Sequence, residues 1–152
     1  MTDIALAPMS SGGYDIQLAG HDLAAENGLR TAVLVSLFSD RLATADDAIP
    51  DGTDNRRGWW ADAWPEIPDD LTGSRLWLLA REKQTAETAE RAREYAAEAL
   101  QWMVDDGVAR AVDVTAAWDA PGRLALTIAI TRATGQAARY QFAWNAEVRH
   151  AV

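Results

Sequence analysis

Apolar and polar positions alternate over much of the last third of the chain. Leu124, Leu126, Ile128 and Ile130 recur at every second position, as do Tyr140, Phe142 and Trp144. Val112, Val114 and Ala116 do the same within residues 108–118. A period of two puts each set on one face of a strand. Asp119-Ala120-Pro121-Gly122 and Thr134-Gly135 supply turn chemistry between them. The three runs predict an antiparallel meander with one buried face. Residues 123–148 contain neither proline nor lysine, the residues that commonly guard a strand edge. An edge of this sheet is therefore expected to be filled, by the chain's own strand at 14–18 or by a partner's arm.

Upstream the period changes to that of a helix. Over residues 86–105, Ala92, Ala96, Ala99 and Met103 line one face, with Tyr95 and Trp102 beside it. The pairs Glu87/Arg91 and Glu90/Arg93 stand on the other face. Thr85 is placed to cap the N-terminus, and Gly107 suits the left-handed cap at the far end. Residues 29–42 predict a second, largely buried helix through Val33, Leu34, Leu37, Phe38 and Leu42. A third helix is expected from a cap at Thr72 or Ser74 to about Lys83, with Leu76, Leu79 and Ala80 on one face. Residues 14–18 alternate as a short strand, and 1–13, ending in Ser10-Ser11-Gly12-Gly13, read as a flexible arm.

The predicted fold is α+β: a short N-terminal strand, three helices, and a C-terminal three-stranded antiparallel meander packed on the long helix. The expected organisation is an arm at 1–13 and a single domain at 14–152. Between the first two helices, residues 43–72 form a long irregular segment. It carries Asp46, Asp47, Asp51, Asp54, Asp62, Asp69 and Asp70, with Pro50, Pro65 and Pro68. Loops of that length in a compact domain usually have a function. Within it, Arg56-Arg57-Gly58-Trp59-Trp60-Ala61-Asp62-Ala63-Trp64 places three tryptophans in six residues. Such a segment is either a protein-binding anchor or a loop folded back on its own core.

Composition narrows the chemistry. The chain has 152 residues, a formal net charge of −9 and no cysteine. The charge disfavours nucleic acid and anionic membranes, and no run of about 20 apolar residues predicts a membrane span. The absence of thiols removes disulfides and zinc–thiolate sites. His21 and His150 do not stand in a relay or ligand pattern, and no nucleophile elbow, phosphate loop or dinucleotide fingerprint occurs. No catalytic, cofactor or metal residue is assigned. The carboxylates of 46–70 leave one enzymatic alternative, acid–base hydrolysis of a glycoside. Seven tryptophans against three tyrosines and two phenylalanines, and thirteen arginines against the single Lys83, favour protein interfaces.

Three stretches carry a resemblance. Leu29-x-Thr31-Ala32-Val33-Leu34-x-Ser36-Leu37-Phe38-x-Asp40-Arg41, then Arg56-Arg57-Gly58-Trp59-Trp60-x-Asp62, then Gly73-Ser74-Arg75-Leu76-Trp77-Leu78-Leu79-x-Arg81-Glu82-Lys83-Gln84-Thr85 closely resemble the Mu-like phage baseplate wedge family. The similarity continues through Ala92-Arg93-Glu94-Tyr95-Ala96 to Gly122-Arg123-Leu124. The resemblance implies a non-enzymatic part of a contractile tail, a wedge or sheath initiator made in the host cytoplasm and assembled into the virion. Its implied partners are other wedge proteins and tail sheath subunits, with several copies per baseplate. The wider superfamily carries a Glu-Pro-Arg or Glu-Arg motif after its first long helix, where Asp40-Arg41 stands here. The interface candidates are Asp40, Arg41, Arg56, Arg57, Trp59, Trp60 and Trp64. The alternative is a tail-associated cell-wall glycoside hydrolase using the loop carboxylates.

Overall fold

The computed structural model describes residues 3–4, 6–8, 14–16, 18–19, 22–23, 25–26, 28–64 and 70–145, with side chains from residue 28 onward. His21, His150, Pro65, Pro68, Asp69 and the Gly12-Gly13 pair lie outside the described residues. The chain divides into two compact units, residues 1–35 and 36–152.

Among the described residues of the first unit, six short strands stand where one was expected. They are β1 (Asp3–Ile4), β2 (Leu6–Pro8), β3 (Tyr14–Ile16), β4 (Leu18–Ala19), β5 (Asp22–Leu23) and β6 (Ala25–Glu26). All pair antiparallel: β1 with β6, β2 with β3, β4 with β5. Residues 1–13, read above as an arm, thus contribute β1 and β2. The strand expected at 14–18 is spent on these local ladders, because β2 and β5 are near in sequence and close the shorter loops.

Helix α1 (Leu29–Phe38) begins as expected and stops four residues early. Tertiary pairing ends it. Ser39 and Arg41 leave the helix to form a parallel bridge around Asp40 and Ser74. Ser74 N donates to Ser39 O (2.9 Å) and Arg41 N donates to Ser74 O (3.0 Å). The Ser74 hydroxyl also donates to Leu37 O, within the last turn of α1.

The expected third helix is a 3-10 helix of five residues, Arg75–Leu79, capped by Ser74, which accepts from Leu76 N. The reason lies in its sequence. Leu76, Trp77, Leu78 and Leu79 are all buried, so no face remains for water, as a longer amphipathic helix would need. A tight three-residue turn wedged between neighbours buries all four and then ends.

Helix α2 (Ala86–Asp105) agrees with the sequence reading, down to the Thr85 side chain accepting from Thr88 N. Its buried stripe, Ala89, Ala92, Ala96, Ala99, Leu100 and Met103, is mostly alanine. Small side chains let the helix lie close to the sheet, chiefly against β7. The sheet is β7 (Ala109–Ala120), β8 (Arg123–Arg132) and β9 (Ala137–Asn145), antiparallel, in that order. Leu124, Leu126, Ile128 and Ile130 of β8 are buried, facing Phe142 and Trp144 of β9. Leu124, Leu126 and Trp144 join Leu76, Leu79, Ala89 and Ala92 in one core.

The β8–β9 turn sets the phase of its ladder. Arg132 N donates to Gln136 O (2.8 Å), and the register continues unbroken to Arg123 opposite Asn145. Counting by two, the backbone groups of Ala137, Arg139, Gln141 and Ala143 point away from β8. Among the described residues no strand pairs with that outer edge.

Candidate protein interface

The loop after α1 is built by arginines reaching for backbone carbonyls. Ala43 N donates to Arg56 O (2.9 Å), while the Arg56 guanidinium donates through Nε and Nη2 to Ala43 O. This double closure ties off residues 44–55 as a compact surface loop. Inside it Asp51 accepts from the hydroxyl (2.7 Å) and the N–H (3.0 Å) of Thr53, which hold its carboxyl below the usual aspartate range.

Arg57 follows with φ +56°, a left-handed value, and Gly58 with φ +95°. For a residue with a Cβ this costs roughly 1–2 kcal/mol. The turn aims the Arg57 side chain back at the body. Its guanidinium lies 4.5 Å from the Trp77 ring centre and 2.7 Å from the Asp40 carboxylate. Trp77 is buried beneath, its indole N–H donating to Arg41 O (2.9 Å). Gly58 is needed for a second reason: a Cβ there would stand 3.0 Å from Leu42 Cβ.

Arg41 is spent in the same way. Its Nε donates to Gly73 O (3.1 Å) and its Nη2 to Leu71 O (2.8 Å), with Glu98 3.8 Å away. Arg75, which the sequence reading did not single out, joins the two halves of the unit. It pairs with Asp47 of the loop (3.0 Å) and Glu98 of α2 (3.0 Å), and stacks 4.6 Å from the Tyr95 ring centre. Burial pushes the Asp47 carboxyl up, but the Thr44 N–H and Arg75 outweigh it and hold the group below its ordinary range.

The arginines and Asp40 thus face inward, and the tryptophans after them face out. Trp59 caps a 3-10 turn, Trp60–Ala63. Asp62 staples that turn to the next segment by accepting from Thr72 N (3.0 Å) and Thr72 Oγ1 (3.1 Å). Trp59, Trp60 and Trp64 are 52%, 75% and 78% exposed, and Leu42 is 37% exposed. The Trp59 and Trp60 rings meet at 58°, with centres 5.9 Å apart. At roughly 200 Å² per tryptophan, the three rings together leave on the order of 400 Å² in water.

The other four tryptophans are structural. Trp77 and Trp144 are buried, Trp102 donates to Ser36 Oγ (3.0 Å) and Trp118 to Thr85 O (2.9 Å). The sequence offered no way to separate Asp62, Asp47 and Arg75 from other surface charges, since each acts on residues far along the chain.

The GP46 phage-protein family matches residues 29–137, from the first residue of α1 to the first of β9. The chain belongs to the GP46 family. Baseplate protein gp46 of Escherichia phage Mu is 46% identical over 142 residues, covering 93% of this chain and 95% of the relative. The Mu-like prophage FluMu protein gp46 of Haemophilus influenzae is 35% identical over 145 residues, covering 95% and 98%. The GP46 match contains the whole arginine clamp and all three exposed tryptophans.

Proposed function

We propose that this GP46-family chain is a structural component of a phage tail baseplate, resident in the virion and acting through protein–protein contacts. The observation that carries this is the tryptophan platform: three exposed indoles in six residues, following a loop whose arginines bond back onto the body, on a turn tied down by Asp62 and Thr72. A monomer gains nothing from ordering such a patch in water, whereas an interface uses rigid aromatic anchors as its energetic centre. The Mu relative, a baseplate protein by name, points the same way.

The finer reading is a wedge that seats the tail sheath, with the larger wedge proteins and sheath subunits as partners and several copies per baseplate. The outer edge of β9 supports it, since Arg139, Gln141 and Ala143 offer outward backbone groups to an incoming strand. A glycoside hydrolase finds no support in the loop. Its general acid needs a raised pKa, and the Asp47 and Asp51 carboxyls are both held low.

Complementation tests the interface. In a phage lacking this gene, supplied Trp60→Ala protein should leave few complete baseplates by electron microscopy. The isolated variant should melt within about 4 °C of wild type, about 1 kcal/mol. Normal assembly, or a loss of ~3–5 kcal/mol as for a core aromatic, would overturn the proposal.

A further inference from the structure

The molecule repeatedly builds one kind of contact: a guanidinium laid on an aromatic ring and held by a carboxylate. Arg57 lies over Trp77 and pairs with Asp40. Arg75 lies over Tyr95 and pairs with Asp47 and Glu98. Arg91 lies 5.9 Å from the Tyr95 ring centre and pairs with Glu82. Each combines cation–π attraction with a charge-assisted hydrogen bond, which arginine's planar fork makes possible and lysine's point charge does not.

The exposed platform has two of these three parts. Its rings are Trp59, Trp60 and Trp64. The carboxylates Asp46, Asp51 and Asp54 belong to the 44–55 loop that precedes the rings in the chain, all on exposed residues. Among the described residues, no cation lies within ion-pair distance of these three aspartates. The loop's own cations are turned away, Arg56 onto Ala43 O and Arg57 onto Asp40 and Trp77. Arg57 also helps hold the Asp51 carboxyl low, yet with Asp46, Asp47, Asp51, Asp54 and Asp62 against Arg56 and Arg57 the segment 44–64 presents aromatic faces and an excess of negative charge.

Resting on the interface reading above, we propose that the tryptophan platform docks an arginine-bearing, cationic surface of a partner protein. The partner's guanidinium stacks on Trp59 or Trp60, and the aspartates of the 44–55 loop attract its charge. The contact repeats between chains what the fold already does within one. It also gives the −9 charge a use, since complementary fields speed encounter and exclude acidic partners.

The test uses the full ¹⁵N-labelled chain, whose seven tryptophans give separately observed indole N–H signals, assigned by single Trp→Phe changes. The probes are blocked peptides of alternating glycine with arginine, lysine or glutamine. The arginine peptide should shift the Trp59, Trp60 and Trp64 signals saturably. The lysine peptide should bind at least ~3-fold more weakly, because it cannot stack and fork together, and the glutamine peptide should not bind. The double change Asp51→Asn/Asp54→Asn should weaken the arginine peptide at least ~3-fold, as should moving from low to roughly physiological salt. Equal shifts by the glutamine peptide, shifts confined to Trp102 or Trp118, or unchanged binding in the asparagine variant would overturn the proposal. Failed peptide binding with Trp60→Ala still blocking assembly would keep the interface and remove the arginine partner.

Discussion

Gly73 is the point where two stretches of chain cross, and replacing it with alanine should cost more than at any other glycine with a positive φ in an open turn. Its φ is +93°, so any Cβ is strained by roughly 1–2 kcal/mol. The new Cβ would also stand 2.4 Å from Ser39 O and 2.8 Å from Ser39 C. Both are backbone atoms, so no side chain can rotate to make room. Relief requires the bridge to open, loosening Ser74 N to Ser39 O and Arg41 N to Ser74 O, each about 1 kcal/mol. The expected loss is about 3–4 kcal/mol, a large share of a domain's ~5–15, or roughly 6–16 °C in melting temperature. Gly52→Ala is the control. It has φ +71° and nothing within 4 Å of the added methyl, so only the backbone strain applies, roughly 1–2 kcal/mol. Urea unfolding followed by tryptophan fluorescence measures both. Equal losses at Gly73 and Gly52 would show that the crossing is not tightly packed and that the argument from Ser39 is wrong.

Three further outcomes are expected. Arg41→Ala should lose about 3 kcal/mol, because Gly73 O and Leu71 O both lose a charged donor; Arg41→Lys should lose less, and Arg91→Ala under about 1, its pair with Glu82 being largely solvent-screened. Equal tolerance at Arg41 and Arg91 in urea titrations would refute this. Asp47 has a lowered folded pKa, so its stabilising effect is complete above the unfolded aspartate value, about 3.9, and disappears as pH falls through the lower folded value. The urea midpoint of Asp47→Asn should therefore fall less than wild type's between about pH 5 and pH 2, and parallel curves would contradict it. Gln141→Pro removes an outward N–H and no ladder bond, so the variant should stay folded by circular dichroism yet stop sheath polymerisation; normal sheaths in electron micrographs would end the strand-addition reading.

Short-range periodicity carried everything that could be read from the residues alone. The alternation at 124–130 and 140–144 defined two strands of the meander and their inward faces. The alanine stripe and Thr85 marked α2 from end to end, since a helix and its cap are written within a few residues. The Arg-Arg-Gly-Trp-Trp run stood out as an anchor or a folded-back loop; its arginines fold back onto the body, while its tryptophans stay exposed. That division came from tertiary contacts. They join residues far apart in the chain, Arg56 to Ala43, Arg41 to Gly73 and Ser74 to Leu37, at separations of 13, 32 and 37. The bonds of Ser74 to Ser39, Arg41 and Leu37 also ended α1 at Phe38. Local pattern fixes which face of an element is apolar. Which polar side chain turns inward depends on whether a distant carbonyl or carboxylate is there to receive it, and that partner exists only once the chain has folded.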